Sequence, residues 1–386
     1  MLSYSKNYSD YLFAYFITCK ITTFFANKGG KIDTKSKLFL HIPFFCCTFA
    51  LDFAKTMDTL RQIRTGLEEA LRAYERKFTD SLSAEQDLLN NVLRYIGAKR
   101  GKQLRPILVL EAARLCNCIT DKTISTAVAL ELLHTASLVH DDVVDDSPTR
   151  RGQEAVHAHW SNKVAVLAGD YMLAKVIGLI AEVRNTKILG IISDLGRSLS
   201  SGEILQLHTN QSMWIDEAQY MRIIEQKTAR LFAACCEAGA ESAAGSQRQV
   251  SALREFGHQL GLCFQIKDDV LDYSDSEDLG KPTMNDIRDG KATLPLIISL
   301  QRAPESEATE IRRLTEALVA RDKSIQPAEA EQDIKAFVLR FDGIGYAYKK
   351  MMEHKRLAEE ALSVFHDCDA RRDLLALLDY TINRVH

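Results

Sequence analysis

Two acidic clusters carry the most specific chemistry in this sequence. The first is His140-Asp141-Asp142-Val143-Val144-Asp145-Asp146, at the end of an apolar stretch. Asp141 and Asp145 are four residues apart, so on a helix they share one face, one turn apart. Like charges at that spacing repel, and acids near a helix C-terminus oppose its dipole. A bound cation would relieve both costs. Hard oxygen donors suit Mg²⁺, which keeps part of its water shell and bridges to phosphates. A solvated acidic helix end would read the same way, so one cluster decides nothing. The second is Gln265-Ile266-Lys267-Asp268-Asp269-Val270-Leu271-Asp272, and Asp268 and Asp272 repeat the spacing. From Asp141 to Asp268 is 127 residues. A bundle that faced the two clusters across a cavity would hold several metal ions around one diphosphate.

Basic residues lie beside both clusters. Lys99-Arg100-Gly101-Lys102-Gln103-Leu104-Arg105-Pro106 precedes an apolar segment, and Pro106 fits the first turn of a helix. Arg150-Arg151-Gly152 follows the first cluster, and Lys281 and Lys291 follow the second. Arg forks match diphosphate oxygens, and Lys supplies a point charge. Each group alone would read as solvated surface charge. Their placement favours anion binding.

The elements that must position these residues are helical. Apolar residues recur at three- and four-residue spacing over 84–97, 104–117, 122–145, 163–183, 187–208, 216–240, 248–274, 344–365 and 370–384. Breaks fall at Pro148, Gly152, Gly245, Gly280, Pro282, Pro304 and Pro327. The expected fold class is all-α, one large bundle of about ten or more helices. A net charge of −3 gives no global basic field, which argues against a nucleic-acid partner. The nine cysteines show no zinc spacing, and reduced, buried thiols imply a cytoplasmic protein.

Residues 1–56 differ from the rest. They contain no Arg and no Glu, yet nine of the sixteen Phe. A transit peptide would be Arg-rich, and residues 42–54 are too short to span a bilayer. The expectation is an extension outside the catalytic domain, with translation beginning at Met57 and the domain covering 57–386.

From Met57 onward the chain resembles the trans-prenyl diphosphate synthases. The resemblance rests on Gly101-Lys102-x-x-Arg105-Pro106, His134 to Gly152, Gly202-Glu203-Ile204-Leu205-Gln206, Lys227-Thr228-Ala229, Phe264-Gln265-x-x-Asp268-Asp269-x-x-Asp272, Gly280-Lys281-Pro282 and Gly290-Lys291-Ala292-Thr293-Leu294-Pro295. It is most similar to the long-chain, octaprenyl- or solanesyl-like branch. Arg100 departs from the family, where many relatives carry a second Gly.

The resemblance implies the isoprenoid synthase type I fold, a helical bundle around a deep cavity, and a homodimer. It implies that Asp141, Asp145 and Asp268 bind Mg²⁺, as three ions with diphosphate bound, and that Asp142, Asp269 and Asp272 complete the acidic shells. Arg150, Lys227, Thr228, Gln265, Lys281 and Lys291 would support the allylic diphosphate. Lys102, Arg105, His134 and Arg151 would hold isopentenyl diphosphate without a metal. The allylic diphosphate would ionise, the isopentenyl double bond would attack, and the released diphosphate would take the proton. Ala136 and Ser137, one turn before Asp141, would leave a product tunnel open where short-chain relatives carry aromatics. Leu132 and Leu133 would lie nearer its floor, so the expected product is long. No integral membrane span is expected, and product release would allow peripheral membrane contact. The alternatives are a geranylgeranyl-type synthase, a terpene cyclase, a calcium-binding structural protein and a non-catalytic subunit of a heteromeric synthase. The intact clusters weigh against the last. Retained Lys102, Arg105 and Arg151 weigh against the cyclase, and Lys227-Thr228 and the paired Arg against the structural protein.

Overall fold

The computed structural model describes residues 59–98, 101–150, 152–210, 214–274 and 283–384. The expected extension at 1–56 lies outside them, as do Arg151 and Lys281. The described chain is a helical bundle. Its order is α1 (Glu68–Ser81), α2 (Asp87–Ala98), α3 (Leu104–Cys116) and α4 (Asp121–Val144). A small hairpin follows, β1 (Thr149–Arg150) and β2 (Gln153–Glu154), then α5 (Val156–His159), α6 (Asn162–Val183) and α7 (Thr186–Asn210). Next come α8 (Glu217–Ile224), a π-helical segment (Glu225–Ala229), α9 (Arg230–Ser242), α10 (Gln247–Leu271) and the short α11 (Asn285–Arg288). The chain closes with α12 (Leu294–Arg302), α13 (Glu305–Val319), α14 (Pro327–Arg340), α15 (Gly343–Ala361) and α16 (Asp369–Asn383).

The all-α expectation holds, and the two-residue strands pair only with each other. α4 is apolar almost all round, the pattern of a central helix. Thr120 starts it with a reciprocal cap to Thr123, and Leu130 and Leu132 are fully buried. α6, α3, α1 and α9 surround it. α10 starts at a second reciprocal cap, Ser246 with Gln249, and packs against α9 and α15. A satellite core holds Tyr273, Met284, Ile287 and residues of α12, α13 and α14.

Glycines allow the helices to touch where function needs closeness. A Cβ on Gly169 of α6 would sit 2.1 Å from His140 Nε2. That nitrogen lies 3.1 Å from the Val166 carbonyl, which can only accept, so Nε2 carries the proton. The residue just before Asp141 is thereby tied to α6. On α10, a Cβ at Gly261 would lie 2.6 Å from Ala229 Cα, and one at Gly257 2.5 Å from the Phe232 carbonyl. α10 therefore lies directly on the π segment and the start of α9. α6 is the one described helix long and apolar enough to cross a membrane, and it stands in the bundle beside α4.

Candidate functional site

The first acidic cluster forms the end of α4. The Asp145 N–H donates to the Asp141 carbonyl at 2.8 Å, and Ser147 N–H donates to the Asp142 carbonyl at 3.0 Å. Pro148 then leads into the hairpin, whose turn uses Gly152 at φ 69°. The pairing of Arg150 with Gln153 brings the guanidinium back over the helix end. Arg150 Nε donates to Asp142 Oδ1 at 2.6 Å, and the Asp142 carboxyl is buried. Asp142 thus faces an arginine, while no described side chain bonds the Asp141 or Asp145 carboxylate. Burial, reinforced by Glu203, pushes Asp141 up to about 6.

The π segment aims two more residues at the site. π turns inside α-helices are frequent at functional sites because the extra residue redirects side chains. Here the turn carries Lys227 and Thr228. Lys227 Nζ donates to Glu203 Oε2 at 2.7 Å and to Gln206 Oε1 at 2.9 Å, both on α7. Gly202 permits this approach, since a Cβ there would lie 3.0 Å from Gln226 Cβ and 3.3 Å from Lys227 N. Lys227 partly offsets the rise of both Asp141 and Asp286. Thr228 Oγ1 donates to Gln265 Oε1 at 2.8 Å.

The second cluster is bonded differently at each carboxylate. Gln265 Nε2 donates to Asp269 Oδ1 at 2.8 Å, and Tyr220 OH donates to Asp269 Oδ2 at 2.6 Å. Burial and the nearby Asp286 hold the Asp269 carboxyl well above its usual range, against those two hydrogen bonds. Asp272 accepts from the Asn285 N–H at 3.1 Å and the Asp286 N–H at 3.2 Å, so it caps α11. Burial and Asp286 push Asp272 to about 6. Asp268 Oδ1 lies 2.9 Å from Arg384 Nη2. Burial alone would lower Lys291, yet Asp286, Asp289 and Asp145 outweigh it and raise its pKa.

Two cavities flank these groups. One of about 240 Å³ is lined by Gln206, Tyr220, Lys227, Thr228, Gln265, Asp269, Asp286 and Lys291. The other, about 90 Å³, is lined by Tyr74, Tyr95, Gly101, Gln103, Glu131, His134, Asp142 and Arg150. Lys102 and Arg105 stand at the start of α3, with Lys102 Nζ 5.6 Å from the Tyr380 ring and Arg105 Cζ 6.0 Å from the Phe232 ring. The four chain-length positions lie on α4: Ala136, Leu132 and Leu133 are buried, and Ser137 Oγ donates to the His134 carbonyl at 2.9 Å. None of the four lines either cavity.

Sequence reading did not select Glu203, Tyr220, Asp286 or Arg384. Glu203 stood within a family stretch and Asp286 four residues before Gly290, but their partners come from distant helices. Tyr220 and Arg384 gave no local signal.

Among the described residues, no three His, Cys, Asp or Glu side chains form a ready cage for a metal. The donors at the first cluster nevertheless suit a hard divalent cation. Asp141 and Asp145 present carboxylate oxygens that no described side chain bonds, and Glu203 Oε1 is buried without a partner. At the second cluster, Asp268 keeps 37% of its side chain exposed. A cation that binds these carboxylates competes with protons. Asp141 and Asp272 have pKa values raised from 3.8 to about 6, so the folded protein binds more protons than the unfolded chain between those values. Their contribution to stability therefore falls as pH rises from about 4 to 6. Added Mg²⁺ should raise Tm at pH 7.5 and much less at pH 5. Scanning calorimetry at the two pH values checks this, and an equal shift at both would contradict it.

The family profile described as polyprenyl synthetase matches residues 86–331. An octaprenyl diphosphate synthase from Haemophilus influenzae is 34% identical, over 84% of this chain and 97% of its own length. A short chain isoprenyl diphosphate synthase from Methanothermobacter thermautotrophicus is also 34% identical, over 86% of this chain and 99% of its own. A Caulobacter crescentus polyprenyl synthase, crystallised with calcium and isoprenyl diphosphate, superposes with a TM-score of 0.77 at 34% identity. That match covers 85% of this chain and 98% of the other. Equal identity to long- and short-chain relatives leaves the octaprenyl- or solanesyl-like branch undistinguished.

Proposed function

Because this chain belongs to the polyprenyl synthetase family, we propose that it extends an allylic diphosphate with isopentenyl diphosphate to a long all-trans polyprenyl diphosphate, in the presence of Mg²⁺. Head-to-tail prenyl transfer of the isoprenoid synthase type is the coarser statement, and it stands on the family and the fold. The observation that supports the rest is one cavity lined by Lys227 and Thr228 of the π segment together with Gln265, Asp269, Asp286 and Lys291.

In this reading, Asp141, Asp145 and Asp268 would hold Mg²⁺. When bound, the ions neutralise charge that develops on the departing diphosphate. Lys227, fixed by Glu203 and Gln206, orients the same diphosphate, and Lys291, which lines the same cavity, adds charge. Thr228, Gln265 and Lys281 support it, and Arg150 does so while holding Asp142. Lys102, Arg105, His134 and Arg151 bind isopentenyl diphosphate as a basic, metal-free site. The allylic C–O bond breaks with its electron pair leaving on diphosphate. The terminal alkene carbon of the second substrate forms the new C–C bond, and the proton lost beside it passes to the released diphosphate.

Incorporation of isopentenyl diphosphate that requires both an allylic primer and a divalent cation tests this function. Incorporation undiminished by a chelator, or none at all, would overturn it. The long product rests on the small residues before Asp141. Ser137→Phe should shorten the product by at least one unit. An unchanged product distribution would remove the tunnel from this face of α4.

The active species in this reading is a cytoplasmic homodimer. Leu167 and Ile177 of α6 are 65% and 68% exposed, and Ile204 of α7 is 67% exposed. Large apolar side chains exposed on two successive helices suit a self-complementary interface with a second copy. The double change Leu167→Asp and Ile177→Asp should yield monomers in sedimentation. A dimer of unchanged strength would refute this surface.

A further inference from the structure

The end of the last helix delivers a guanidinium to the second acidic cluster. α16 packs against α3 and α10, and Arg384 follows its last residue. Arg384 is only 7% exposed, which is rare for arginine unless it is paired. Four contacts hold it. Nε donates to the Thr381 carbonyl at 3.2 Å, and Nη2 donates to the Phe264 carbonyl at 2.8 Å. Cζ lies 3.9 Å from the Phe264 ring centroid, and Nη2 lies 2.9 Å from Asp268 Oδ1. Phe264 is itself braced by the Phe232 ring at 5.0 Å. Two anchors are backbone carbonyls and one is an aromatic face, so the guanidinium cannot swing away without stranding buried donors. Asp268 is different: its Oδ1 meets this fixed fork, while 37% of the side chain stays exposed.

We propose that Arg384 is a positioning residue for Asp268, fixing one carboxylate oxygen so that the other is presented to a divalent cation. The proposal rests on the cation-dependent function above. A ligating carboxylate gains affinity when its other side is held by a rigid donor, and loss of such a partner costs about 10–100-fold in metal affinity. The planar guanidinium suits the task because it reaches the Phe264 carbonyl and the Asp268 carboxylate together. A lysine ammonium keeps the charge but lacks this fork. The positive charge itself opposes a nearby cation, so the benefit is one of geometry. α16 thus completes a cluster whose carboxylates, Asp268, Asp269 and Asp272, lie more than a hundred residues upstream.

The test uses the full chain and Mn²⁺ with inorganic pyrophosphate, with free Mn²⁺ read by electron paramagnetic resonance. Arg384→Met and Arg384→Lys should each weaken Mn²⁺ binding by about 10-fold or more. The half-saturating concentration of isopentenyl diphosphate should stay within about twofold of wild type. This second readout separates positioning from collapse of α16, because collapse would also displace Tyr380 from Lys102. Asp268→Asn should add little to the loss in Arg384→Met, since both act through one carboxylate. Wild-type Mn²⁺ binding with unchanged affinity in both Arg384 variants would overturn this proposal alone. A wild-type protein that binds no Mn²⁺ would overturn the cation-dependent function and this proposal together.

Discussion

Asp141→Ala should lower the rate of prenyl transfer by about 10²–10³-fold or more while leaving the cation-free protein at least as stable as wild type. The two effects have one cause. Burial and the nearby Glu203 raise the Asp141 pKa to about 6, so its charge is costly to hold in the fold. Above that pH the carboxylate is ionised with no described side chain bonded to it. Alanine removes the cost and removes the oxygen donors at the same time. Sites that store unfavourable charge for function commonly gain stability when disabled. The raised pKa makes the stability gain larger at pH 8 than at pH 4, where the native carboxyl is already protonated. Turnover and Tm at those two pH values check the prediction. Near-wild-type turnover would mean that Asp141 takes no part in the reaction.

Gly261→Val should have a large effect although it removes no charged group. A Cβ at this position would lie 2.6 Å from Ala229 Cα and 3.1 Å from Phe232 Cβ. Neither neighbour is the flexible end of a side chain. The strain passes into the π segment, which must shift to make room, and Lys227 and Thr228 move with it. Overpacking of this kind costs about 1–3 kcal/mol. The rate should fall further than stability alone explains, because displacement of a positioning group by about 1 Å costs about 10²-fold. Denaturant unfolding and turnover on the same preparation measure both. A variant with native stability and rate would show that α10 and the π segment are not rigidly apposed.

Helical periodicity made the bundle legible, because core-facing residues repeat every three or four positions whatever they pack against. The block 122–145 became α4 to within one residue at each end, and 248–274 became α10, which stops three residues earlier at Leu271. The block 216–240 became one helical run, 217–242, with a π turn inside it. Its π segment inserts a wider turn without disturbing the apolar repeat, so no pattern announced it. The hairpin that returns Arg150 to Asp142 showed only as breaks at Pro148 and Gly152, since two-residue strands are too short to alternate.

The acidic clusters were found because their spacing is local. What each carboxylate bonds was not local and stayed hidden. Asp269 is enclosed by Tyr220 and Gln265, and Asp272 caps α11, so both hold structure around the site. Asp268 meets Arg384, more than a hundred residues later in the chain. Glu203 was visible as part of a motif, yet its bond to Lys227 depends on α7 meeting the π segment at Gly202. The two clusters differ in a way that identical letters could not show. In the first, no described side chain bonds Asp141 or Asp145 while Arg150 holds Asp142, and the second is laced into the protein.

The most direct test is to incubate the protein with Mg²⁺, farnesyl diphosphate and isopentenyl diphosphate and to size the products by mass. The account predicts a ladder of five-carbon increments ending at a long polyprenyl diphosphate of about eight units or more, each helical turn of tunnel accepting roughly one unit. No consumption of isopentenyl diphosphate would contradict it and would favour a non-catalytic subunit of a larger synthase.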